Sequence, residues 1–385
     1  MRVYGWSDGH GGVFHYRIKE PLRGLRLLGH QTQTGSALQL KLADAYDTIL
    51  VRALHNPHES RGWLALAQQG KHLLGYDLDD DIWAWHPSSD SAQYWNDQRR
   101  LQAEINIQVA DLVTTPSRQL GRLLSQLNPN VAVLPNTVPR WLTSMMQPRR
   151  DRFVIGWEGA HQHVHDLELI YKPVFRFMVN HPDVEFYLWG PERHTWLPSI
   201  MQWLPPGLAG RIKCHGWQAD VPSYYRSLNM DVCLAPLEGT PFNETKSAIR
   251  IQEHSALGIP IIGSRSPAHD GFLVDGVNGY FASAPSAWEA RLETIYRNPA
   301  LGKQLGQNGR RLAKRWTTEE QATIRQCILE EAHDERARIR AGANARAGTK
   351  PTRPHAARTT GATTGVTTVH SPALAHPKPG SSGNG

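Results

Sequence analysis

The chain has 385 residues, more than one hydrophobic core usually spans, so two domains of roughly 150 to 200 residues are expected. Cys214, Cys233 and Cys327 are odd in number and widely spaced, which argues against a disulfide framework or a thiolate metal cluster and for a reducing cytoplasm. The net charge is +7, but Arg346, Lys350, Arg353, Arg358 and Lys378 lie in a tail without acids; subtracting these five leaves +2 on the body and removes the case for a broad nucleic-acid surface.

The opening "MRVYGW" is a strand candidate, too short and polar for a secretory signal, and no apolar run approaches the ~18 residues of a membrane helix. From Tyr16, "YRIKEPLRGLRLLGH" predicts a helix closed by Gly29. A strand around Ile49 to Val51, a helix in "SRGWLALAQQG" and a strand in "KHLLGYDLDDD" follow. One long helix is predicted through "YWNDQRRLQAEINIQVA", then the strand "DLVTTPS", the helix "RQLGRLLSQLN" and the strand "VAVLPNTV". Strand and helix alternating in this way predict a parallel sheet covered by helices.

The alternation restarts after "MMQPRRD". Strands are predicted in "RFVIGWEG", "VEFYLWG", "GRIKCHGW", "DVCLAPL" and "IPIIG", and helices in "DLELIYKPVFRFMVNHP" and "VPSYYRSLN". A single helix is expected in "WEARLETIYRNPALGKQLGQNGRRLAKRW". The fold class is therefore α/β, with two doubly wound, Rossmann-like parallel-sheet domains over 1–148 and 149–330 facing a cleft. Residues 341–385, rich in Gly, Thr, Pro and Ala, read as a disordered basic tail.

Between the last two strands of the second domain lies "PFNETKSAIRIQEHSALGIPIIG". If its helix begins near Thr245, then Lys246, Arg250 and Glu253 fall at i, i+4 and i+7 on nearly one face. A lysine in the first turn opposes the helix dipole, which makes sense where a phosphate sits at the same N-terminus. Glu253 then accepts hydrogen bonds from a sugar diol, and Arg250 adds charge or pairs with Glu253. A solvated face carrying that ion pair is the competing explanation.

The stretches "FNETKSAIRIQEHSALGIPII", "IGWEGAHQHVHDL", "LPNTVP" and "GFLVDGVNGYF" together resemble the retaining nucleotide-sugar glycosyltransferases of the GT-B fold, specifically family 4 and its relatives. The likeness runs through residues 1 to 325. It implies an acceptor-side first domain and a second domain that holds a nucleotide diphosphate sugar as substrate, with no cofactor and no metal. It implies that Glu253 binds the ribose hydroxyls and that Lys246 and His165 stand beside the diphosphate. Arg250, Gly216, Trp217 and the Gly12 loop join the donor site. Thr245 occupies the position where the family has a sugar-contacting glutamate, with Glu244 adjacent. Asn136 matches an asparagine at the end of the first domain.

Other clusters compete for attention. His161, His163 and His165 repeat at two-residue spacing but end at Asp166, a candidate N-cap, so they make a poor zinc site. Asp77, Asp79, Asp80 and Asp81 suggest a divalent cation, yet in a two-domain fold acids at a strand end line the cleft or cap a helix, and one can meet an acceptor hydroxyl. Tyr16 and Arg17 either touch the acceptor or begin their helix. The acceptor itself stays open among a glycan, a lipid-linked sugar, a protein and a modified nucleic acid, with peripheral membrane contact compatible with each. A hydrolysing epimerase of the same fold and a non-catalytic sugar-nucleotide binder are the rival functions.

Overall fold

The computed structural model describes residues 1–7, 11–37, 40–87, 89–148, 150–160, 163–190, 203–216 and 218–348. Six parallel strands form the first sheet: β1 (Arg2–Trp6), β2 (Gln31–Gly35), β3 (Thr48–Arg52), β4 (Leu73–Asp77), β5 (Leu112–Thr115) and β6 (Val131–Val133). Their order is β2-β1-β3-β4-β5-β6, so the winding reverses between β1 and β3. Apolar side chains on both faces of β3 and β4 make these central strands, packed with Trp6 and Trp63 in the core. β2, "QTQTG", had no apolar signal to reveal it; it lies at the sheet edge, where a polar strand costs little.

The second sheet contains β7 (Phe153–Glu158), β8 (Val184–Trp189), β9 (Ile212–His215), β10 (Val232–Ala235), β11 (Ile261–Gly263) and β12 (Gly279–Phe281). All are parallel, in the order β12-β11-β10-β7-β8-β9, the Rossmann order, with its reversal between β7 and β10. Open sheets of this kind bind ligands beyond the carboxyl ends of the strands at such a reversal. The carboxyl end of β7 is Glu158, and β10 runs on into residues 236–238.

Two predicted helices are each broken in two. Asn96 caps the Asp97–Gln108 helix by accepting from the Arg99 N–H at 3.1 Å, ending the short Asp90–Tyr94 helix before it. Asn298 caps Pro299–Ala313 in the same way, and Pro299 lacks the N–H that a continuous helix from Pro285–Arg297 would need. Gly306 has a local reason to be glycine: a Cβ there would stand 2.0 Å from the Gly258 carbonyl oxygen.

The chain crosses between the sheets twice, and the crossings lie side by side. Val138 and Thr317 form a bridge, with the Val138 N–H bonded to Trp316 and the Thr318 N–H to Val138. The Thr318–Gly348 helix then returns to the first sheet, where Arg23 meets Glu319 at 3.0 Å, His333 meets Thr48 at 2.8 Å and Arg336 meets Asp111 at 3.1 Å. The helix continues past residue 341, where the composition alone pointed to disorder. Among the described residues, no helix is long and apolar enough to cross a membrane.

Candidate functional site

Glu158 terminates β7 as a buried acid, 5% exposed, at the place where the second sheet reverses. Its carboxylate accepts a hydrogen bond from the Tyr224 hydroxyl, lies 3.0 Å from His254 Nε2 and stands 3.6 Å from Arg250 Nε. The Arg250 guanidinium also lies 5.7 Å above the Trp157 ring. Arg250 therefore pairs with Glu158, not with Glu253. One helical turn further on, Glu253 is committed to other partners.

Those partners come from both domains. Gly12–Phe14, the π-helical His15–Lys19 and Glu20–Leu27 form one continuous helical stretch, and Tyr16 in its second segment donates its hydroxyl to Glu253. Tyr225, from the Val221–Ser227 helix, donates to the Tyr16 oxygen at 3.2 Å. Glu253 is 3% exposed. Burial pushes its carboxyl up to about 8, with the nearby Glu158 acting in the same direction, so near neutral pH it is held largely protonated. A ligand reaches this carboxyl only if Tyr16 gives way.

The helix bearing these residues does not begin near Thr245. A short helix, Pro241–Glu244, is followed by a link and then by Ile249–Leu257, so Lys246 precedes the helix and is not in its first turn. The break has visible causes. The Thr245 carbonyl accepts from the Ser117 hydroxyl of the first domain, and its own hydroxyl donates to the Phe242 carbonyl at 2.8 Å. Asn136 donates to Ser247 at 3.0 Å, accepts from Arg17 at 3.0 Å and takes the Gln252 side chain on its carbonyl at 2.7 Å. Asn136 thus holds the turn between domains. No side chain caps the Ile249–Leu257 helix at Ala248, which leaves an N-terminus able to receive an anion.

Lys246 stands at that opening. Its Nζ is 3.3 Å from Asp80 of the first domain and 4.3 Å above the Phe242 ring, which packs against Trp85 at 4.1 Å. The remaining acids of the run have separate work: Asp77 pairs with Arg17 at 2.6 Å, Asp79 with Arg52 at 3.2 Å, and Asp81 accepts the Trp83 N–H at 3.0 Å. Arg17 is buried in the pair with Asp77, which rules out its touching an acceptor. Beside this run Ala53 has φ +46°, a costly conformation for a residue with a side chain, at the carboxyl end of β3.

Asp166 is not an N-cap. The helix starts at Val164, and Asp166 in its first turn accepts from the Glu238 N–H at 2.8 Å and from Asn243 Nδ2 at 2.7 Å. It also meets His163 Nδ1 at 2.9 Å. Burial, helped by Lys246 and Arg250, lowers His163 to about 4, so this ring is neutral and adds no charge at pH 7. His165 pairs with Glu168 at 3.5 Å and its ring lies 4.5 Å from that of His86 across the cleft. Gly216 is exposed at the end of β9, and a side chain on Gly12 would meet Tyr16 at an ordinary 3.6 Å. Trp217 and His161 lie outside the described residues. Glu244, next to Thr245, lines a cavity of about 970 Å³ with Lys172, Arg176, Arg265 and Trp203. Among the described residues, no group of three His, Cys, Asp or Glu side chains is arranged to hold a metal ion.

Glu158 and the Tyr16–Glu253 contact escaped the sequence reading. An acid closing the apolar run "FVIGW" was the available signal for the first. The second joins residues 237 positions apart and had none.

Residues 152–298 match the family model of glycosyl transferases group 1. EpsD of Bacillus subtilis (strain 168), a glycosyltransferase by name, is 27% identical over 124 residues, covering 31% of each protein. The chain thus spans about a third of the length of this curated relative. Among solved structures, Anabaena HepE in complex with UDP-glucose superposes with a TM-score of 0.63 at 15% identity, over 87% of this chain and 100% of that one. A sucrose-phosphate synthase from Thermosynechococcus elongatus gives 0.62 at 15% identity, over 88% and 99%. A glycosyltransferase from Rickettsia africae gives 0.61 at 12%, over 86% and 98%. The two parallel-sheet domains around a cleft share the GT-B architecture of these solved structures, and the second of them carries the match to glycosyl transferases group 1.

Proposed function

We propose that this protein moves a sugar from a nucleotide diphosphate donor to an acceptor hydroxyl with retention of configuration. The observation that carries the reading is the placement of Lys246 and Arg250 at the uncapped start of the Ile249–Leu257 helix, beside the reversal of the second sheet. As the bond to the sugar breaks, negative charge builds on the departing diphosphate. Cations and helix N–H groups gathered around that charge lower its energy. Lys246 takes the diphosphate, and Arg250, steadied by Glu158, adds charge behind it. His165 closes the same end of the cleft.

Glu253 receives the ribose once Tyr16 has withdrawn, and Gly216 with Trp217 borders the base. Thr245 presents no carboxylate to the sugar, and its hydroxyl is occupied by Phe242. The donor hexose is therefore held by contacts other than the family's first glutamate. HepE was solved with UDP-glucose, which makes UDP-sugars the first donors to try.

The test is release of nucleotide from a panel of UDP-, GDP-, dTDP- and ADP-sugars, with methyl glycosides as acceptors and the product's anomeric configuration read by NMR. Transfer with retention supports the reading. Epimerised free sugar with nucleotide released in the absence of acceptor would favour the hydrolysing epimerase, and binding without turnover would favour a sugar-nucleotide binder.

A further inference from the structure

Of the four acids in the run at the end of β4, three are matched by cations or N–H groups of their own domain. Asp80 alone among them takes its cation, Lys246, from the other domain. Both side chains of that pair are largely withdrawn from water, at 25% and 14% exposed. The pair stands at the cleft, beside the Trp85 and Phe242 rings. Lys246 is also the cation assigned to the donor diphosphate, so it cannot serve both anions equally.

We propose that Asp80 is the acceptor-binding carboxylate and that donor binding releases it. This rests on the reading of Lys246 as the diphosphate cation. A diphosphate carries more charge than one carboxylate and draws Lys246 toward the second domain. Asp80 is then left at the cleft without its cation, an arrangement that costs free energy until a hydrogen-bond donor replaces it. A hydroxyl of the acceptor sugar fits that need in size and chemistry. Burial pushes the Asp80 carboxyl up and Lys246 opposes that push, so a carboxyl that loses Lys246 gains proton affinity and needs a new hydrogen-bond partner. The consequence is an order of binding: donor first, acceptor second. Before the donor arrives, the acceptor's carboxylate is occupied.

The experiment compares wild type with Asp80→Asn and, as a control, Asp79→Asn, whose native partner Arg52 belongs to the first domain. UDP, GDP, dTDP and ADP are titrated by calorimetry. Asp80→Asn removes the competitor for Lys246, so the nucleotide that wild type accepts should bind about 3- to 10-fold tighter, with Asp79→Asn unchanged. In turnover with methyl glycosides, kcat/KM for the acceptor should fall at least about 10-fold while the donor KM does not rise. Asp80→Ser repeats the measurement should the amide variant fold poorly. Equal or weaker nucleotide binding in the Asp80 variants, or an undiminished kcat/KM for the acceptor, overturns the inference and leaves the donor site standing. If wild type binds none of the four nucleotides, the underlying donor reading fails with it.

Discussion

Arg250 and Lys246 are the two cations of the proposed donor site, and they are held in opposite ways. Arg250 is fixed by Glu158 at the end of β7, in its own domain and at the base of the site. Lys246 is held by Asp80 at the end of β4, in the facing domain. One cation is thus part of a preset scaffold, and the other reports on the state of the cleft. The difference explains how one site can be preorganised for charge and still respond to its ligand.

The largest expected effect tests the fixed cation. Arg250→Ala leaves Glu158 buried beside Glu253, and breaking a buried pair in this way costs about 3 kcal/mol, seen as a lower denaturation midpoint. Nucleotide diphosphate binding should fall in the same variant. Lys246→Ala should separate the two properties: affinity for the diphosphate drops about 10- to 100-fold. Stability should fall by less than in Arg250→Ala, because the carboxylate left without its cation, Asp80, is 25% exposed against 6% for Glu158. Equal losses in both measurements for both variants would erase the contrast between the two cations.

A third prediction concerns the interdomain carboxyl. The unfolded chain gives up the Glu253 proton near pH 4.5, and the folded chain near 8. Between those values the folded state holds the extra proton, so stability falls as pH rises. Neutral folded His163 and His269, both lowered to about 4 by burial, act the other way, but only below their unfolded value of 6.5. The window from pH 6.5 to 8 therefore isolates Glu253, with a slope of up to about 1.4 kcal/mol per pH unit. Glu253→Gln should flatten that slope in urea denaturation, and an unchanged slope would refute the assignment. The smallest effect is reserved for His165→Ala. Its ion pair with Glu168 is exposed, and the loss should be below about 0.5 kcal/mol in stability.

Much of this architecture was legible because each strand and helix announces itself locally. "TILVR" and "LLGYD" are apolar on both faces, as buried parallel strands must be, and Gly29 and Gly70 mark helix ends with φ of +89° and +61°. Lys246, Arg250 and Glu253 could be singled out by spacing, but their partners could not. Glu158 closes β7, Asp80 follows β4 and Tyr16 lies on the helical stretch after β1, and the two sheets and their cleft bring them together. Spacing also misplaced the helix start, because the interruption at Thr245 depends on Ser117 of the other domain. The return of the Thr318–Gly348 helix to the first sheet rests likewise on contacts such as Arg23 with Glu319, almost 300 residues apart.

The central claim is that the Lys246 and Arg250 cations read a diphosphate. It is tested most directly by titrating wild type and Lys246→Ala with a nucleoside diphosphate and the corresponding monophosphate. The structure predicts that wild type prefers the diphosphate by at least about tenfold and that the preference collapses in the variant. Equal affinity for the two nucleotides in wild type, or a preference that survives the loss of Lys246, would contradict it.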